Sequence, residues 1–401
     1  MDLLIKNAHI IDSYMDFYGD LYIKEGKIYS IGNNLSVNCE TIDADGKTVM
    51  PSFIDTHAHF RDPGFTYKED IETGSMAAAR GGYTAVDLMA NTKPVCSSRE
   101  VLNYVKEKAE KCNLIDIIQC VTVSKDMEGK TTSHLDEFDK DEIRVISDDG
   151  RGVADSKVMM DAMYKAKKNG WLVLSHAESK EFSDTDMRTA ENMMTLRDVT
   201  LAGITGAKLH MAHVSTKEAM QYIIDAKNKK AHVTAEVTPH HIALTSDVCN
   251  YRVNPPIREK EDVEFLIDAI KKGYVDTIGT DHAPHSKEDK ANGAPGMIGL
   301  ETAFSVCYTA LVKMHDVSIN KLSSLMSEKP AELLKLNKGR IVPGYDGDIV
   351  IADLDYKYTV SEKDLASKSC NTPFLGKELC GKVIMTIKNG RVIYKAMEEE
   401  L

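Results

Sequence analysis

No dense basic stretch occurs anywhere in the 401 residues, and the formal net charge is −12. Nucleic-acid binding needs a positive surface, so that class is excluded. An anionic small substrate is not, because a buried metal pair can dominate its local field. No apolar stretch approaches the ~18 residues needed to cross a bilayer. The first seven residues lack a basic region leading into a long apolar segment, so they are not read as a signal peptide. Cysteines stand at 39, 96, 112, 120, 249, 307, 370 and 380 without a single CxxC pair. That spacing removes thiolate zinc sites and dithiol redox motifs. Free thiols and a reducing compartment fit instead, and a soluble cytoplasmic protein is expected. Phosphate loops of the GxGxxG or GxxxxGK kind are also missing.

What is present is an ordinary globular balance, 42% hydrophobic and 28% charged, on a chain long enough for a large barrel plus a smaller domain. Its most informative feature is Asp55-Thr56-His57-Ala58-His59, at the end of the apolar run Pro51-Ser52-Phe53-Ile54. Residues i and i+2 of a strand point to one face, so His57 and His59 aim two imidazoles at one point. That arrangement suits a metal ion.

The first 50 residues alternate in short strand-like runs with hairpin signals at Glu25-Gly26-Lys27 and Asp45-Gly46-Lys47. The last sixty are similar, with strands at 348–353 and 382–387 and a turn at Lys388-Asn389-Gly390-Arg391. Neither end carries enough strands for a stable sheet alone. Segments 1–50 and 341–401 are therefore expected to meet in one small β-sandwich domain. Between them, over 51–340, apolar strands alternate with amphipathic helices. The strands fall at 53–57, 85–89, 115–123, 144–147, 172–176, 208–213, 232–237 and 276–280, and helices include 156–169, 195–205, 217–228 and 260–272, the last closed by Gly273. Eight β/α units in series predict a (β/α)8 TIM-type barrel, with a doubly wound open sheet as the alternative. Residues 285–296, polar and turn-rich, read as a mobile surface loop.

Functional side chains of such barrels sit at the C-terminal ends of strands. Here strand one ends in His57 and His59, strand four in Asp148 and Asp149, strand five in His176, strand six in His213 and strand eight in Asp281. Four histidines and two carboxylates exceed a single four-coordinate zinc. They suit two adjacent metals: His57, His59 and Asp281 on one, His176 and His213 on the other, and a bridging aspartate. The thiolate-free donor set favours zinc, with manganese or cobalt as alternatives. Asp148 and Asp149 point to opposite sides of a continuing strand, so only one bridges, and the residues alone leave the two even. His210 and His213, three apart, also face opposite ways. His213 is the choice, being nearer the strand end and before the helix-start signal Val214-Ser215-Thr216. His240 and His241, after strand seven, are read as structural. So are His9, His134, His232 and His315, unless exposed.

The motifs resemble the dihydroorotases of the amidohydrolase superfamily, most closely the class I bacterial form. They are residues 51–64, Met89 to Pro94, Asp148-Asp149-Gly150, Ser175-His176-Ala177-Glu178, Ala212 to Thr216, Val253 to Arg258 and Thr280-Asp281-His282-Ala283-Pro284-His285. The resemblance spans nearly the whole chain. It implies reversible hydrolysis of (S)-dihydroorotate to N-carbamoyl-L-aspartate in pyrimidine biosynthesis, with two zinc ions per subunit. It further implies Asp149 as the bridge. Related barrels that bridge with a carbamylated lysine carry it on strand four, where 144–147 has none. A metal-bridging hydroxide would attack the ring amide, and Asp281 would shuttle its proton to the leaving nitrogen.

Arg61, on the face of His59, would hold the substrate carboxylate through its planar fork, with Asn91 and His285. Asn254 and the backbone near Pro295 and Gly296 would meet the ring's polar edge, His59 would also face substrate, and the 285–296 loop would close over it. The chain departs from the usual pattern at Ala90, where relatives carry Pro, in a shorter segment between His176 and His213, and in a tight Ala294 to Met297 stretch. A homodimer and association with aspartate carbamoyltransferase are implied as partners. Competing expectations are a hydantoinase or allantoinase, which share the metal histidines, and a non-catalytic scaffold, which would have lost ligands that this chain keeps.

Overall fold

The computed structural model describes residues 1–397. All eight expected barrel strands are present: β6 (Phe53–Ala58), β7 (Tyr83–Leu88), β8 (Asp116–Gln119), β9 (Val145–Ile146), β10 (Leu172–Ser175), β11 (Lys208–Met211), β12 (Val233–Val237) and β13 (Thr277–Ile278). They pair in parallel as β6-β7-β8 and as β9-β10-β11-β12-β13. Single bridges, Val121 to Ile146 and Ala58 to His282, join the two sets at both seams. The result is a closed barrel and not an open doubly wound sheet. Every residue of β6 and β7 is buried, as expected for parallel strands covered by helices outside and side chains inside.

The helices follow the sequence signals closely. Ser156–Asn169, Lys217–Asn228 and Lys260–Lys272 have the expected limits, while the helix expected from 195 begins earlier, as Met187–Thr205. Asp186 accounts for that early start, since its carboxylate accepts the N–H groups of Arg188 and Thr189. Gly273 ends its helix at φ +81°, a left-handed backbone that favours glycine. The third unit departs from the repeat. Between β8 and β9 the chain makes only the 3-10 turns Lys125–Met127 and Ser133–Glu137.

Both chain ends do meet, in one eight-stranded sheet. From the N-terminal side come β1 (Leu3–Ile11), β2 (Asp16–Lys24), β3 (Lys27–Gly32), β4 (Glu40–Asp43) and β5 (Thr48–Pro51). From the C-terminal side come β14 (Ile349–Thr359), β15 (Glu378–Lys388) and β16 (Arg391–Lys395). The order is β16-β15-β14-β5-β1-β2-β3, and β4 branches from β1. Antiparallel pairing of β14 with β5 is the join. Alternation along these strands serves two cores. Val49, Ile349 and Ile351 pack into the sheet's own core, while Met50, Val350 and Ala352 join that of the barrel. Ion pairs stitch the same boundary: Lys338, 4% exposed, lies 2.5 Å from Asp348 and also meets Asp116 at the start of β8. No helix among the described residues is long and apolar enough to cross a membrane, and all eight cysteines are free.

Candidate metal centre and active site

The six side chains expected from five strand ends converge at the barrel mouth. Asp149 is their middle. Its Oδ1 lies 3.3 Å from His57 Nε2, 3.2 Å from His176 Nδ1 and 3.5 Å from His213 Nε2, and its Oδ2 lies 3.4 Å from His59 Nε2. Asp281 Oδ1 stands 3.1 Å from His59 Nε2 and 3.7 Å from His57 Nε2. Two triplets bring their ligand atoms within 4.8 Å of one another, His57-Asp149-His213 and His57-His59-Asp281. Burial would push the carboxyl of Asp149 up, but the His57 charge and the nearby imidazoles of His176 and His213 hold it well below the usual range. In Asp281 the hydrogen bond from His59 similarly overcomes burial and lowers the pKa.

The two open pairs resolve by local partners. Asp148 turns away, where its carboxylate accepts the Val123 N–H at 2.7 Å and the Ser124 hydroxyl. His210 lies a layer lower inside the barrel, beside Thr234 Oγ1 at 2.8 Å and Thr277 Oγ1 at 3.3 Å. His241 is held between Thr238 Oγ1 and the Pro255 carbonyl, whereas both ring nitrogens of buried His240 lack a hydrogen-bond partner. His9 pairs with Asp16, and His134 is buried against Thr122.

Sequence reasoning missed Glu236 on β12. This fully buried carboxylate takes His57 Nδ1 at 3.0 Å and the His213 N–H at 3.1 Å on Oε1, and the Thr56 hydroxyl on Oε2. Gly279 makes room for it, since a Cβ there would run into the carboxylate. The only signal was a lone acid in an apolar strand. Glu178 was also given no role. It lies 2.8 Å from His176 Nε2, which draws its pKa down to about 2, and it accepts from Asn254 Nδ2 at 2.7 Å.

These outer contacts test whether metal fits. With Nδ1 facing Glu236, Nε2 of His57 is turned toward Asp149 Oδ1; burial opposes a charge on this ring, yet the carboxylates of Asp149 and Glu236 raise its pKa well above the usual value. Nε2 and Oδ1 are both buried and neither has a hydrogen-bond partner. A gap between two buried, unpartnered polar atoms suits a cation, and a histidine anchored by a carboxylate through its other nitrogen is a familiar metal ligand. The imidazole and carboxylate donors fit a divalent ion.

Beside this centre lies a cavity lined by His59, Arg61, Asn91, Asn254, His285, Pro295 and Gly296, all seven of the residues expected to face substrate. Arg61 donates to the Pro284 carbonyl at 3.2 Å and lies 3.3 Å from His285 Nε2. Lys68, another missed residue, lies 3.3 Å from His285 Nδ1. Burial, then the charges of Arg61 and Lys68, push His285 down to about 3. A neutral imidazole between two cations makes a positive corner suited to a carboxylate. Asn91 spans His59 Nδ1 and the Asp149 carbonyl. The Gly296 N–H is already given to the Arg252 carbonyl at 3.1 Å.

The 285–296 segment differs from the loop expected there. Lys287–Ala291 is a short helix with a Ser286/Asp289 capping box. Lys290 Nζ ties it to the carbonyls of Arg252, Ala294 and Gly296.

Comparisons with known proteins agree with this geometry. The family model described as "Amidohydrolase family" matches residues 48–393. A relative from Clostridium botulinum named dihydroorotase is 59% identical over 397 residues, covering 98% of this chain and 100% of that protein. Another so named, from Clostridium acetobutylicum, is 39% identical and covers 98% of this chain and 99% of its own length. The latter alignment runs over 422 positions, so that relative carries residues which this chain lacks. Among solved structures, an L-hydantoinase (dihydropyrimidinase) from Arthrobacter aurescens superposes with a TM-score of 0.91 at 26% identity, covering 99% of this chain and 97% of that one. A D-hydantoinase (dihydropyrimidinase) from Thermus sp. gives 0.85 at 29%, over 99% of this chain and 97% of that one. The family match, near-complete coverage and high identity to dihydroorotases together mean that this chain belongs to the amidohydrolase family and, within it, to the dihydroorotases.

Proposed function

We propose that the barrel mouth carries out the dihydroorotase reaction in pyrimidine biosynthesis, (S)-dihydroorotate plus water in reversible exchange with N-carbamoyl-L-aspartate. The observation that carries this reading is the pairing of one Asp149 among four imidazoles with the corner where Arg61 and Lys68 flank the neutral His285, beside a single cavity. His57, His59 and Asp281 would hold one divalent ion and His176 and His213 a second, with Asp149 shared; zinc suits these donors, and manganese or cobalt could replace it. Ions so held activate water and polarise a carbonyl oxygen.

The remaining work falls to side chains. Arg61 and His285, with Asn91 beside His59, receive the carboxylate and fix the ring's orientation. Asn254 and the Pro295–Gly296 backbone border the ring's polar edge. Asp281 takes the proton of the attacking water and returns it to the amide nitrogen as the ring C–N bond breaks. An amide nitrogen leaves poorly without that proton.

The division into 1–50, 51–340 and 341–401, a homodimer, an association with aspartate carbamoyltransferase and a cytoplasmic location belong to the same proposal. The free thiols support the last. A hydantoinase-like activity is the second reading, favoured by the structural likeness to hydantoinases. The direct test is turnover by metal-loaded protein, followed by loss of ultraviolet absorbance of dihydroorotate. No reaction in either direction would refute the proposal, and turnover of a neutral hydantoin alone would favour the second reading.

A further inference from the structure

Between β14 and β15 the chain leaves the small sheet, and residues 366–371 bond along the loops that follow β6 and β13. The Ala366 N–H donates to Glu301 at 2.6 Å, Ser367 donates to Glu69, Lys368 pairs with Asp70, and the Ser369 hydroxyl donates to the Lys68 carbonyl at 2.8 Å. Asn371, 8% exposed, completes the strap. Its Nδ2 donates to the carbonyls of Ala283 and Gly296, both at 3.1 Å, and its Oδ1 accepts the His285 N–H at 3.1 Å. Its own carbonyl accepts the Ile298 N–H at 3.0 Å.

The Ala283 N–H already donates to the Met297 carbonyl at 2.8 Å, and Asn371 adds three side-chain hydrogen bonds that tie the His285 end and the Gly296 end of the 283–298 segment to each other where both line the cavity. Neither can move without breaking a buried hydrogen bond. His285 is further set by Lys68, which rides on backbone that the strap also grips. The carboxylate corner is built by the barrel but held in shape from the small domain.

We infer that Asn371 is a positioning residue for substrate recognition, acting through His285 and Gly296 to keep the carboxylate corner assembled. The inference rests on the functional reading above. Its loss acts on ground-state binding, because Asn371 hydrogen-bonds to Ala283, His285, Gly296 and Ile298 and to none of the proposed metal ligands or the proton shuttle. The prediction is a change in KM more than in kcat.

The test uses the metal-loaded enzyme with N371A and the near-isosteric N371D, whose carboxylate keeps the acceptor for His285 but loses both donors. Wild-type turnover of dihydroorotate is read first and decides the reaction itself. Amide exchange over residues 283–298 is read on protein without substrate and decides the tie whatever the substrate is. The expected result is a KM raised about tenfold, the scale of two lost buried hydrogen bonds, with kcat and bound metal changed less than about twofold and faster exchange over 283–298. N371D guards against misfolding of N371A. Unchanged exchange in N371D overturns the inference, as does unchanged KM, or a loss of kcat and metal at constant KM.

Discussion

Oε1 of Glu236 lies 3.0 Å from Nδ1 of His57, at the floor of the site. The same oxygen takes the His213 N–H at 3.1 Å. One carboxylate therefore orients proposed ligands from two strands and fixes which nitrogen of His57 faces Asp149. E236Q keeps the volume but removes the charge that makes His57 a better donor. Metal affinity is expected to fall about 10- to 100-fold, the usual effect of removing such a partner. Chelator competition on the folded variant measures it, and wild-type affinity would deny Glu236 this role.

Asp281 approaches His59 more closely than His57, 3.1 Å against 3.7 Å, and lines the cavity. The proposed mechanism gives it the acid–base role, since it touches the imidazoles and borders the cavity. D281N, assayed at saturating metal, is expected to lower kcat by roughly 10²- to 10⁴-fold, the usual contribution of a positioned proton-transfer group. Its circular dichroism spectrum should match that of the parent. Near-parental turnover in D281N would remove the shuttle from the mechanism.

Most of the frame was legible in the sequence because it depends on local pattern. Apolar runs ending in His or Asp mark the barrel strands, and the two-residue period of His57 and His59 fixes their shared face. Glycine at 273 marks a helix end that the left-handed φ of +81° confirms. What stayed hidden depends on closure of the barrel. Glu236 meets Thr56 across 180 residues of chain, and Asp148 is diverted by Ser124, 24 residues away. Neither relation has a local signature. Asn371 was hidden for the same reason, since its partners lie 75 to 88 residues off. The short helix at Lys287–Ala291 was legible in principle from Ser286 and Asp289, but its polar composition reads first as a loop.

Arg61 has its Nε on the Pro284 carbonyl and one Nη on His285, so its position is fixed before substrate arrives. R61A should discriminate between the two functional readings. Losing a hydrogen bond to a charged group costs about 1.5–3 kcal/mol, or roughly 10- to 150-fold in kcat/KM. That loss is expected for dihydroorotate, whereas a ring without a carboxylate should react at an unchanged rate. Equal losses on both substrates would assign Arg61 to the architecture of the loop and not to carboxylate recognition.

His285 supplies a pH test. Burial and the flanking charges of Arg61 and Lys68 push it down to about 3, against about 6.5 in an unfolded chain. Between those values the unfolded state binds a proton here that the folded state refuses. Stability therefore rises with pH across that window, is fully present above about 6.5 and is lost progressively as pH falls toward 3. Removing the imidazole removes this contribution. H285N is expected to lose less thermal stability than the parent when both are taken from pH 7 to pH 5 in one buffer series. Parallel thermal losses in parent and H285N would show that His285 titrates as an ordinary exposed histidine, and the cationic corner would then need a different account.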